Sequence, residues 1–112
     1  MLAGLAGPAA AHWLPPEAVV ARLNSEPMRQ RWGVERAERD AKAPRLLIVR
    51  VGRHWYELPA AIRKAEASEW LGDWRHNVAQ GVVAVLDAAS DQPVVQFGPG
   101  GRVLRVADAP RR

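Results

Sequence analysis

Arg45-Leu46-Leu47-Ile48-Val49-Arg50-Val51 is the stretch on which the reading of this 112-residue chain turns. Its apolar residues, several of them branched at Cβ, suit a pleated strand, and Pro44 and Gly52 punctuate the run on both sides. The stretch is predicted to be a buried strand. Beyond it, Gly52-Arg53 reads as a tight turn into His54-Trp55-Tyr56-Glu57-Leu58, so a first hairpin is expected. Pro59 then opens the longest helix, which should run to about Ala79 and stop at Gly81 in the C′ position. Ala67, Trp70, Leu71, Trp74 and Val78 fall within one sector of that helix, the width of a core-facing stripe. The remainder reads as a meander over 82–86, 93–97 and 102–106, with turns at 87–92 and at Gly98-Pro99-Gly100-Gly101.

Toward the N-terminus, Pro15-Pro16-Glu17 is a helix start, and Val19, Val20 and Leu23 give a short apolar face that Asn24-Ser25 ends. Ser25-Glu26-Pro27 repeats the start signal. Val34, Ala37 and Ala41 share one helical face, so a second helix is expected to continue through a phase change at Gly33 as far as Ala43-Pro44. The order is then α-α-β-β-α-β-β-β. It implies an α+β fold: a mainly antiparallel sheet of about five short strands with two or three helices on one face. Because Val51 and Val82 flank the long helix, a parallel crossover joining two halves of the sheet stays open beside the all-antiparallel arrangement.

The length suits one domain, assigned to 12–107, with 108–112 as a loose basic tail. Hydrophobic residues at 48% against 25% charged argue for a folded chain. The absence of cysteine excludes disulfides, thiolate metal sites and cysteine nucleophiles. No apolar run approaches the roughly 18 residues of a membrane span. Residues 1–11 read as a leader or the remnant of a secretory signal, with an apolar stretch, Pro8 and an A-x-A site at Ala9 to Ala11, although a basic n-region is missing. Export to the periplasm and a cytoplasmic Ala/Gly leader are the two outcomes this stretch allows.

The formal charge of +4 rests mostly on arginine, which supplies 14 of the 16 basic side chains. Between 29 and 53, eight basic residues stand against three acidic ones; between 54 and 92, three stand against six. The first segment has the density to neutralise phosphates, but no helix-turn-helix spacing, aromatic RNA-binding strand or zinc module accompanies it. Mutual neutralisation on folding is the simpler expectation.

Five tryptophans are many for this length. Trp70 and Trp74 belong to the core stripe, whereas Trp13 and Trp32 lie outside the clean apolar faces. Trp32 with Arg29, Arg31 and Arg36 is therefore the candidate partner-binding group, an aromatic anchor with steering charges, the alternative being a half-buried residue at the core's edge. Glu69, Asp73 and His76, at i, i+4 and i+7, form a weak candidate for a divalent cation on a stripe opposite the tryptophans, more simply a solvated acidic face. His54 and Glu57 would face opposite sides of a strand and so make poor acid–base partners. Gly98-Pro99-Gly100-Gly101 lacks the lysine and helix of a phosphate loop and reads as a hairpin turn.

No catalytic residue and no cofactor is assigned. The expected function is a small non-enzymatic accessory or binding domain recognising an acidic, partly apolar protein partner after export, as a monomer or weak dimer. A basic cytoplasmic nucleic-acid-binding protein is the alternative, and a small metal-dependent hydrolase a distant one.

Overall fold

The computed structural model describes residues 15–110. Among them, helices α1 (Pro16–Leu23) and α2 (Glu26–Trp32) precede strands β1 (Val34–Arg39) and β2 (Leu46–Val51). The short α3 (Arg53–Glu57) and the long α4 (Ala60–Asn77) follow, then β3 (Val82–Asp87), β4 (Val95–Phe97) and β5 (Val103–Val106). The fold is α+β, as expected. The strands form two sheets, an antiparallel β4-β5 pair and a mixed sheet β1-β2-β3 in which β2 runs antiparallel to β1 and parallel to β3. The crossover between β2 and β3 carries α3 and α4, so the parallel alternative is the one the chain takes.

Two segments differ from expectation. The second helix ends at Trp32, because Gly33 takes the left-handed conformation (φ 75°) and donates its N–H to the Arg29 carbonyl at 3.0 Å. A Cβ there would also lie 2.5 Å from the Trp55 nitrogen, so only glycine lets α2 turn so close to α3. The next residues, VERAER, form β1 rather than more helix. Val34 and Ala37 are both buried although three residues apart, which a regular strand does not permit; an irregularity in the pairing between Val34 and Arg36 resets the alternation. Conversely His54–Glu57, expected to be a strand, belongs to α3, whose first turn is closed by the Trp55 N–H donating to the Gly52 carbonyl at 3.1 Å. The order of helices and strands is kept, with one extra short helix.

The core lies between one face of the mixed sheet and the helices. Ala37, Leu47, Val49, Val51, Val83 and Val85 meet Trp55, Trp70 and Trp74, and the rings of Trp55 and Trp70 stack at 5.1 Å. The predicted stripe of α4 is buried as drawn. Each indole removes on the order of 4 kcal/mol of apolar surface from water. Trp74 also donates its Nε1–H to the Arg45 carbonyl at 2.8 Å, tying α4 to the start of β2. Arg63, 5% exposed, donates to the carbonyls of Leu58 and Ala107 and so holds the end of β5 against α4.

The outer edge of β1 is capped by a side chain. Asn24, just after α1, donates its amide N–H to the Ala37 carbonyl at 2.9 Å and accepts the Ala37 N–H at 2.8 Å. It supplies both partners that a neighbouring strand would offer there.

Candidate functional site

Helices α1 and α2 and the middle of α4 line a cleft of about 480 Å³. Its apolar floor comes from Val19, Leu23, Met28, Trp32 and Trp70. Arg22 and Arg31 rise on the α1/α2 side, and Glu66, Glu69, Asp73 and His76 on the α4 side. Such a volume suits one or two side chains or a small organic group.

The charges are only loosely committed. Arg31 lies over the Trp32 ring at 4.9 Å, and Arg22 reaches Asp73 across the cleft at 4.0 Å with both side chains well exposed. A pair so exposed contributes little to stability. Glu66 is half-buried and accepts the Trp70 Nε1–H at 3.0 Å. Burial pushes its carboxyl above the usual range, and neighbouring Glu69 adds to this, against the lowering effects of the Trp70 bond and of Arg31 and Arg22. On α4, Gly72 opens directly onto the cleft, and a Cβ added there meets nothing within 4 Å.

The four residues of the expected partner-binding group separate. Trp32 and Arg31 line the cleft; Arg29 pairs with Glu26 at 3.6 Å and does not line it. Arg36 sits on β1, paired with Glu38 at 2.9 Å, because the helix that would have stacked it near Trp32 stops at Gly33. Glu69, Asp73 and His76 do share a wall, and that wall includes Trp70 rather than lying apart from the tryptophans. Among the described residues, no group of three or more His, Asp or Glu side chains is placed to hold a metal ion. Trp13 and the 1–11 leader lie outside the described residues.

A second cleft, about 730 Å³, lies at the carboxyl ends of β2 and β3, lined by Glu35, Gly52, Arg53, Tyr56 and Asp87 among others. Asp87 is 1% exposed and accepts the Tyr56 hydroxyl at 2.6 Å and both the N–H and hydroxyl of Ser90 at 2.9 Å. These bonds fix the turn after β3 and anchor α3 to it. The helical form of α3 also brings His54 Nδ1 to 3.1 Å from Glu57 Oε1, correcting the strand-based separation of the two; both remain exposed.

Sequence reasoning missed the α1 and Met28 contributions to the cleft, the opening at Gly72, and the Tyr56–Asp87 contact. An acid closing an apolar strand three residues before a serine marks the Asp87–Ser90 turn, but nothing local marks the Tyr56 contact built on it. In comparisons with known proteins, the chain matches no family model, no curated protein and no solved structure. No helix among the described residues is long and apolar enough to cross a membrane.

Proposed function

We propose that this chain is a small non-enzymatic binding domain, working after export, that recognises a protein partner through the cleft between α1, α2 and α4. The observation that carries the reading is the placement of Trp32, half-buried at the cleft's edge with a guanidinium on its face, beside an apolar floor. Aromatic and arginine side chains around a small apolar recess are the usual composition of a binding hot spot. A fitting partner inserts one apolar side chain and places an acidic group toward Arg22 and Arg31. Toward Glu69 and Asp73 it carries a neutral or basic group.

The nucleic-acid alternative has less to draw on. Arg29, Arg36, Arg39 and Arg50 of the basic segment already face Glu26, Glu38, Glu17 and Asp91. Of these pairings, Arg50–Asp91 joins the basic segment to the acidic one that follows.

The test is a peptide library selected against the protein. Selected peptides should share an apolar residue beside an acid, and Gly72→Leu should abolish their binding by filling the cleft. Because replacing an exposed helical glycine favours the helix by up to about 1 kcal/mol, that variant should melt no lower than the native chain. Binding that survives Gly72→Leu and Trp32→Ala would sink the proposal.

A further inference from the structure

The helices cover one face of the mixed sheet, and strand alternation sends the intervening residues to the other. Leu46 stands beside Val82, Ile48 beside Ala84, and Arg50 beside Leu86 on that second face. Val82 is 51% exposed, and the other four apolar residues are partly exposed rather than buried. Among the described residues, none of the five belongs to the core cluster that the helices cover.

Four charged groups on this face form an unbroken chain. Arg36 pairs with Glu38 at 2.9 Å, Glu38 with Arg50 at 2.9 Å, and Arg50 with Asp91 at 3.0 Å. Two guanidinium groups thus alternate with two carboxylates, and the row carries no net charge, on a chain whose overall formal charge is +4. A neutral contact lets two copies of a net-positive chain meet without like excess charge facing itself. A row that reads plus, minus, plus, minus is also complementary to itself turned about a two-fold axis.

We propose that the sheet face opposite the helices is the contact between two copies of this chain. Strands about 4.8 Å apart and about 3.3 Å per residue give a three-stranded face of roughly 300 Å². That is less than half of the roughly 800 Å² per partner in a stable complex. The dimer is therefore weak and concentration-dependent, isologous, and independent of the helical cleft.

Sedimentation of the full chain from about 10 μM to about 1 mM tests this, a range that brackets a weak association. The weight-average mass should rise toward twice the monomer across that range. Val82→Glu changes an exposed side chain and should hold the protein monomeric throughout with an unchanged melting temperature; Ala84→Lys, on the neighbouring row, should do the same. Gly72→Leu, which fills the cleft, should dimerise as the native chain does, so failure of the cleft reading leaves this one standing. A monomer at every concentration, or a dimer indifferent to both charge-introducing variants, would overturn it.

Discussion

Leu46 and Leu47 are neighbours on one strand, yet they belong to different environments. Leu47 is fully buried against the tryptophan layer, while Leu46 lies half-buried on a face where apolar side chains alternate with Arg36, Glu38 and Arg50. The covered face is dry and nearly free of charge, with Asp87 at its far end held by three donors. The opposite face keeps its ions in a row of surface pairs. Burial here depends less on what the strand contains, since Leu46-Leu47-Ile48-Val49 is apolar on both sides, than on which side the helices occupy.

The sharpest way to break this contrast is to truncate the two leucines. Leu47→Ala should cost about 2–5 kcal/mol by leaving a cavity, whereas Leu46→Ala should cost less, about 1–2 kcal/mol, because part of its surface is already wet. Urea midpoints of the dilute proteins measure both; equal losses would mean that the second face is packed after all.

A smaller difference separates two tryptophans within the dry layer. Trp74 donates to the Arg45 carbonyl, but the buried Trp55 Nε1–H has no acceptor among the described residues. Trp74→Phe should therefore be the more destabilising of the two phenylalanine replacements, by about 1 kcal/mol, since it removes one of the two hydrogen bonds at the Arg45 carbonyl, leaving only that from the Val82 N–H, while Trp55→Phe removes an unpaired donor. The reverse order in thermal unfolding would contradict these hydrogen-bond assignments.

The smallest effect lies at the rim, where the dry layer meets the cleft. Burial raises the Glu66 carboxyl pKa in the folded chain, so the native state holds that proton more tightly than the unfolded state does. Its contribution to stability is present below the unfolded pKa and is lost as pH rises through the folded value. Glu66→Gln keeps an oxygen to accept the Trp70 N–H and removes the titration. The melting temperature of the variant should gain relative to the native chain as pH rises from about 4 to about 7; parallel profiles would place Glu66 in ordinary solvent.

What could be read beforehand follows the same division between local and tertiary effects. The β2 run and the tryptophan stripe of α4 declare themselves because their periodicity matches the surface they bury. VERAER does not, since Val34 and Ala37 are spaced as on a helix and only the irregularity beside Arg36 lets a strand bury both. His-Trp-Tyr-Glu has strand-like composition, yet the turn at Gly52 winds it into α3, which places Trp55 in the core. The cleft's parts were visible as separate clusters around Trp32 and Glu69. Their meeting depends on where α2 stops, and that is decided by the close approach of Gly33 to Trp55.

Asn24 carries a consequence for assembly beyond the single molecule. By giving Ala37 both an acceptor and a donor, its amide occupies the place where an incoming chain would begin to pair. It acts on the sheet as a terminator acts on a growing polymer. With that seat taken, edge-to-edge pairing cannot begin at Ala37, in the middle of this border.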